Sequence, residues 1–537
     1  MAEAPAPHPL ATVFAYHERT KHHPHRFARA LGYLDWDTQP DPFRRYEGAE
    51  TVPLEEVPPT PEPRYEELYA GRLPPRPVDR AAVAQLFYDS LALSAWKEYR
   101  GSRWSLRVNP SSGNLHPTEG YLLAGAVPGL PDAPALWHYA PYLHALERRA
   151  PLDPAALPAD LLLVGLSSIH WREAWKYGER AFRYSMHDAG HAIAAVALAA
   201  AALGWEARLL DPLPDDGLAR LLGIADPAGP EAEHADALLA LHPRGWPGRP
   251  EDAVERLLHD PPRELAGRPN RLSADHHDWP VIAAVADATR CDGAGAHEPF
   301  APAPRAAPED GRPVSARTIV RQRRSAVDLD GRTSLPADAF FRTLERVLPA
   351  AGRPPLAALT WRPAIHLVLF VHRVNGLEPG LYALVRHPDA LEPLREAFDP
   401  RYAWSRPPAA PESLPLFLLR AGDWRDTAQL SSCTQAIASE GAFAVAMLAE
   451  FEPRLRAHGP WFYRRLHWEA GAIGQVLYLD AEAAGVRGTG IGCFFDDTVH
   501  DVLGLGDRRF QDLYHFTIGG PVDDPRLQTH PAYAHRG

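Results

Sequence analysis

Four short segments gather most of the side chains in this sequence whose types and spacing could do chemistry. Arg107-Val-Asn-Pro-Ser-Ser-Gly-Asn-Leu-His-Pro-Thr-Glu-Gly-Tyr121 sets hydroxyl and amide groups on a glycine-containing loop. Groups of this kind can approach the edge of a planar ring and hydrogen-bond it, which makes Pro110, Ser111, Ser112 and Asn114 candidate contacts. Arg321-Gln-Arg-Arg-Ser-Ala-Val327 offers Arg323, Arg324 and Ser325. A guanidinium suits phosphate because two parallel donors match two oxygens, although a solvated basic helix start would look the same. Gly485-Val-Arg-Gly-Thr-Gly-Ile-Gly-Cys-Phe-Phe-Asp-Asp497 is glycine-rich enough for its backbone to come close to a ligand, with Gly490, Gly492 and Cys493 as candidates. The fourth segment is Trp175-Lys176-Tyr177. Of 56 basic residues only Lys21, Lys97 and Lys176 are lysine. Lysine can surrender a proton near neutral pH and arginine cannot, so Lys176 with Tyr177 is a candidate proton-transfer pair; chance survival of a lysine is the plainer alternative.

A rival chemistry is offered by His187-Asp-Ala-Gly-His191, two histidines one helical turn apart as in zinc hydrolases. No third ligand follows at a legible spacing and the glycine weakens a site helix, so the reading is a packed helix and no metal.

The elements that must position these groups occur twice. With Gly190 set against Gly471 and the offset held constant, Arg183 meets Arg464, Leu198 meets Leu479, Gly204 meets Gly485, Asp216 meets Asp497 and Leu222-Gly223 meets Leu503-Gly504. An ungapped register over some forty residues points to an internal repeat. Within it, Met186 to Leu203 and Trp468 to Ala484 are alanine-rich and free of proline, which predicts two buried helices closed by Gly204 and Gly485. Tyr121 to Val127, Leu161 to Leu166, His366 to Val371 and Phe443 to Leu448 have strand-length apolar runs, the last equally compatible with helix. The expected class is α+β: two fused domains, each a mixed sheet flanked by helices. Residues 1–62, rich in Pro, His and Arg, read as an extended arm; 63–267 as the first domain; 268–312 as a Pro/Ala/Gly-rich linker; 313–537 as the second domain.

Bulk properties narrow the function. A net charge of -12 without a basic cluster argues against nucleic acid. Three scattered cysteines, Cys291, Cys433 and Cys493, fit a reducing, cytoplasmic setting. The longest apolar run, Ala192 to Trp205, is too short to span a bilayer, and the first ten residues lack a signal-peptide pattern.

The segment from Arg107 to Tyr121 resembles the flavin loop of the nitroreductase superfamily, in particular its thiazole/oxazole dehydrogenase branch (SagB/ThcOx type). Arg321 to Val327 resembles that family's Arg-Arg-Ser element, and Gly485 to Asp497 its loop after the long helix. The resemblance implies FMN as cofactor. Pro110, Ser111, Ser112 and Asn114 would reach the flavin across a dimer interface, Arg323, Arg324 and Ser325 would hold its phosphate and pyrimidine, and Gly492 and Cys493 would present the backbone donor to N5, with Gly490 among the glycines that permit the close approach. The Cys493 side chain is then expected to be redox-inactive. Lys176-Tyr177 resembles the pair that removes a proton in azoline oxidation.

The halves differ in a complementary way. An ungapped match of Arg80–Leu91 to Ala337–Leu348 sets Glu66-Glu67-Leu68 opposite Arg323-Arg324-Ser325, and Pro355 to Leu359 falls opposite the serine loop without its polar groups. The expectation is therefore a pseudo-dimer within one chain, monomeric, holding one composite FMN site. The expected activity is dehydrogenation of an azoline or peptide-like heterocycle. A nicotinamide-dependent nitro or quinone reductase and a catalytically silent flavin-binding partner of a peptide-modifying complex stay open as alternatives. Arg44 and Arg45 of the arm are a second possible phosphate grip.

Overall fold

The computed structural model describes residues 8–131, 133–225, 229–293, 300–307 and 313–536. It is α+β, with two main sheets of matching design. The first comprises β1 (Thr51–Pro53), β2 (Thr118–Ala124), β3 (Ala135–Ala140), β4 (Ala145–Pro151), β5 (Leu162–Ser168), β6 (Trp205–Leu209) and β7 (His234–Pro243). Its order is β1-β4-β3-β2-β5-β7-β6. The second comprises β8 (Ile365–Val371), β9 (Gly380–Leu384), β10 (Leu416–Ala421), β11 (Phe443–Glu450), β12 (Arg487–Ile491) and β13 (Phe510–Gly519), in the order β10-β9-β8-β11-β13-β12. Without the added edge strand β1, the two orders are the same. Phe443–Glu450, the ambiguous run, is a strand.

The sheets are antiparallel throughout rather than mixed. Short hairpins join β2 to β3 to β4 and β8 to β9, and a hairpin can join only antiparallel neighbours. Alternate residues serve opposite faces. Leu122, Val164 and Leu239, like Leu367, Leu369 and Val445, point into one core shared by both halves. Tyr121, Leu163 and Leu238 of the first sheet face a separate outer core, and Val368, Phe370 and Ala444 of the second face another. Both faces are covered, which is why these strands read as continuous apolar runs.

Between the sheets run two helices of 22 residues, Ala181–Ala202 and Phe462–Ala483. Their boundaries fall at equivalent positions of the repeat, and Gly204 and Gly485 follow them with φ +71 and +76, the left-handed conformation glycine tolerates. The halves also meet in a reciprocal pair of hydrogen bonds, Tyr65 N–H to Val314 O and Ala316 N–H to Pro63 O, both 2.9 Å. These bonds lie at the starts of the helices Tyr65–Ala70 and Ala316–Gln322.

Two stretches carry more structure than their composition suggests. The arm contains the helix Pro9–Arg19, which buries Val13, Tyr16 and His17. His17 reaches Tyr463 and Gln511 of the second half, and Tyr16 donates to Glu179 O of the first. The linker contains Pro280–Ala288, which buries Ile282, Val285 and Ala288 beside the arm helix. Both are short, and short helices are held by tertiary packing more than by their own periodicity. Linker residues 294–299 and 308–312, and arm residues 1–7, lie outside the described residues. Among the described residues no helix is long and apolar enough to cross a membrane.

Candidate functional site

The four chemically equipped segments converge on one cavity of ≈ 750 Å³ between the halves. Pro110, Ser111, Ser112 and Asn114 line it from the first half, as does Tyr177; Arg323, Arg324, Ser325, Gly490, Gly492 and Cys493 line it from the second. Lys176 stands behind this wall. Its Nζ and the Tyr177 hydroxyl both press on the Gly113 turn, lying 3.1 and 2.6 Å from where a Cβ on Gly113 would sit. Any side chain there would displace one of them.

The serine loop is a rigid turn. Gly113, Asn114 and His116 have φ +62, +57 and +52. The Asp188 carboxylate of the first long helix accepts from Ser112 N–H and Ser112 Oγ at 3.1–3.2 Å, and Ser111 Oγ accepts the His116 N–H at 2.8 Å. The Ser111 hydroxyl also bonds the Asp188 carboxyl. Burial pushes the Asp188 carboxyl up to about 7 against the pull of these hydrogen bonds. Glu173, on the same side of the loop, is pushed up by burial and by Asp188, and both its oxygens are buried without a hydrogen-bond partner.

At the other end lie Arg323, Arg324 and Lys97. The Arg324 guanidinium donates to neutral oxygens, those of Ser94, Arg321 and Arg323, while its backbone N–H donates to Glu482 Oε1 at 3.3 Å. Arg323 donates to Arg107 O at 3.1 Å and lies over the Tyr478 ring, with Nε buried and unpartnered. Among the described residues none of the three forms an ion pair. Burial and the neighbouring Arg323 and Arg321 lower Arg324 to about 9, and burial with Arg324 and Arg487 lowers Lys97. Glu482 beside the two arginines and Asp523 near Lys97 offset part of this charge, but the cations lack direct ion pairs, and crowded cations of this kind favour an anion. The donor set fits a phosphate group at this end and a polar heterocycle along the serine loop, and the volume lies in the usual range for ligand pockets, roughly 300–1,000 Å³.

On the glycine strand, Gly490 lines the cavity. Its N–H donates to Tyr478 Oη at 2.9 Å, and the Tyr514 hydroxyl occupies the space where a side chain would project. Tyr478 also bonds Ser325 Oγ at 2.8 Å. Gly490 thus makes room for two tyrosines rather than offering its donor. At Gly492 the carbonyl accepts from Arg180 (3.2 Å) and Tyr184 (3.1 Å) of the first half, and the Tyr184 ring fills the place of a side chain.

The mirror-related place is filled. The Leu356–Ala358 turn, counterpart of Ser112–Asn114, packs its buried Leu356 and Ala358 against strand β6. Pro74 O and Pro75 sit where a Cβ on Gly204 would go, and Trp205 donates to Arg76 O. The reciprocal bonds around Tyr65 and Ala316 also correct the ungapped match. They set Arg72, which is exposed, opposite Arg323, and leave Glu66 and Glu67 inside the helix, Glu67 accepting the Arg64 N–H. The two loops between these helices and the next differ in length, which an ungapped match cannot show.

Arg44 and Arg45 are absent from the cavity. Arg44 bonds Asn270 O and Glu231 O, and Arg45 pairs with Glu147 at 2.5 Å. His187 stacks on Tyr514 and His191 bonds Gln475 and Tyr514; no metal-ligand cluster occurs among the described residues. Several lining residues escaped the sequence reading. Asn109 carries a buried, unpartnered Oδ1 within the serine motif itself. Lys97 and Trp104 arrive on the hairpin Leu93–Arg107, which the C-terminal segment Gln528–His530 joins as a third strand. Lysine scarcity marked Lys97 as surely as Lys176; no local pattern tied it to the site.

Residues 73–235 match the Nitroreductase family. The crystal structure of a presumptive nitroreductase from Anabaena variabilis aligns over 95% of this chain and 99% of its own, with TM-score 0.68 and 24% identity. The nitroreductase-like fold is therefore shared over 95% of this chain. Weaker likenesses are a presumptive nitroreductase from Ralstonia eutropha (TM-score 0.28, 16% identity, 40% of this chain and 97% of that one) and the Escherichia coli microcin synthetase McbBCD complex with truncated pro-MccB17 bound (TM-score 0.26, 16% identity, 44% and 93%). No curated protein matches the chain.

Proposed function

We propose that this chain is an FMN-dependent oxidoreductase made of two fused, diverged copies of one domain, with a single composite flavin site between them. The observation that carries the reading is the contrast between equivalent places: one is a cavity lined by the serine loop and by Arg323 to Ser325, the other is packed with Leu356, Ala358 and Trp205. The shared strand order and the reciprocal hydrogen bonds support the duplication. A pseudo-dimer of this kind completes its own site without a second chain.

In this reading Arg323, Arg324 and Lys97 hold the phosphate, and Ser111, Ser112, Asn109 and Asn114 bond the ring edge beside Pro110. Ser325 steadies Tyr478, and Gly492 and Cys493 bring backbone to the far side. FMN, when bound, supplies the acceptor or donor for a hydride. Asp188 keeps Ser112 in place, and Tyr177 lines the cavity with Lys176 Nζ 5.2 Å from its ring centroid, the pair that in this reading takes a proton from substrate. Substrate choice, an azoline or peptide-like heterocycle, rests on the resemblance of Lys176-Tyr177.

The test is stoichiometry. Flavin released by denaturation should equal the chain in amount; a ratio near two, or none after reconstitution, overturns the composite site. Anaerobic mixing with NADH or NADPH then separates the chemistries, since rapid bleaching would mark a nicotinamide-dependent reductase instead. With one flavin, no bleaching and no turnover of any heterocycle, the silent-partner role would replace the dehydrogenase.

A further inference from the structure

The side chains of Cys433 and Cys493 stand apart from every role assigned above. Sixty positions separate them in sequence, yet their sulfur atoms lie 2.9 Å apart. Both are thiols, and both are partly exposed. The backbone is arranged to bring them together. Cys433 and Thr434 are consecutive non-glycine residues with φ +54 and +60, a left-handed conformation that is held only where surrounding contacts impose it. Those contacts tie the two loops to each other: Phe495 N–H donates to Ser431 O at 2.7 Å, and Gln435 Nε2 donates to Cys493 O at 3.0 Å. Cys493 borders the cavity. The chain's third cysteine, Cys291, is buried elsewhere.

We propose that Cys433 and Cys493 are a reversible dithiol–disulfide couple, a redox-sensitive modification site built into the wall of the cavity. A disulfide needs its sulfurs at about 2.05 Å, and here a small side-chain movement would bring them that close. The Cys433 thiol, with help from His22, holds the Cys493 thiol below its ordinary value against the effect of burial. Cys493 is therefore the attacking group. With a small dialkyl disulfide as oxidant, the Cys493 thiolate attacks one of its sulfurs, a new S–S bond forms, the oxidant's S–S bond breaks and one thiolate departs. The Cys433 sulfur then attacks Cys493 and expels the second thiolate. Two electrons pass from protein to oxidant, and the two thiol protons end on the two departing thiolates. The bond would pin the loop 431–435 to the end of β12 and fix the cavity edge at Cys493. This departs from the expectation of a redox-inactive Cys493, and it is independent of the flavin reading.

The full-length protein is treated with oxidised glutathione, alkylated with iodoacetamide and digested. The expected result is one linked peptide pair containing Cys433 and Cys493, lighter by two hydrogens, with no retained glutathione, reversed by dithiothreitol; Cys291 is unchanged. Cys433→Ser should instead trap a lasting glutathione adduct on Cys493. Separate alkylation of both cysteines in the treated wild type, or a lasting wild-type adduct, overturns the proposal whatever the flavin content.

Discussion

Gly190 and Gly471 meet where the two long helices cross, so closely that a Cβ on Gly471 would lie 2.2 Å from His187 O and 3.0 Å from the Gly190 Cα. A Cβ on Gly190 would likewise lie 2.3 Å from Trp468 O. The two positions that anchor the sequence repeat are thus partners in space, and both obstacles are backbone, which cannot swing aside.

Gly471→Val should therefore push the helices apart. Overpacking of this kind costs about 1–3 kcal/mol, and the Val side chain here meets backbone, so the upper end applies. Denaturant titration followed by tryptophan fluorescence should show a lower midpoint for the variant. An unchanged midpoint would mean the helices can separate without cost.

The phosphate assignment predicts an unequal response at equivalent places. Arg323→Ala with Arg324→Ala should weaken FMN binding strongly, since each lost charge-assisted bond is worth on the order of 1.5–3 kcal/mol. Arg72→Ala, at the exposed counterpart, should leave it intact. Flavin fluorescence quenching on titration reads both, and equal losses would show that the two places are not differentiated.

Lys176→Arg should keep the fold and FMN yet lose substrate oxidation, because a guanidinium keeps the charge but not the exchangeable proton. General-base removal lowers rates by roughly 10²–10⁴-fold. Tyr177→Phe should cost less, sparing the ring and removing the hydroxyl. Wild-type turnover by Lys176→Arg would make the pair structural.

Asp496 joins three parts of the chain: it pairs with Arg180 at 2.9 Å and Arg183 at 2.7 Å of the first half and accepts the His22 N–H of the arm at 2.9 Å. Burial raises its pKa, but the two guanidinium groups outweigh burial and hold the carboxyl well below its ordinary value. A depressed carboxyl stabilises the fold fully above its unfolded pKa, near 3.9, and that stabilisation is lost as pH falls toward the folded value. Asp496→Asn should cost about 3–5 kcal/mol at neutral pH, the usual penalty for leaving buried charges unpaired. Its stability should fall less steeply than that of the wild type below pH about 4. Parallel acid profiles would remove Asp496 from the account.

Residue types and spacing marked the two long helices, four of the strands and several of the residues that line the cavity. These features are local: a proline-free alanine run, a closing glycine and a hydroxyl-rich loop keep their meaning wherever the chain goes. The arm helix Pro9–Arg19 and the linker helix Pro280–Ala288 were hidden because docking, not periodicity, makes them helical. The ungapped match misplaced Glu66 and Glu67 because loop length is decoupled from register, and only the paired bonds of Tyr65 and Ala316 restore the correspondence. Gly490 lines the cavity, and that its N–H goes to Tyr478 was visible only in the folded chain. Lys97 reached the cavity, and Cys433 reached Cys493, through contacts between segments far apart in the chain. Which of two equivalent places stayed open was decided in three dimensions, because a cavity is a property of every wall at once and no single segment contains them all.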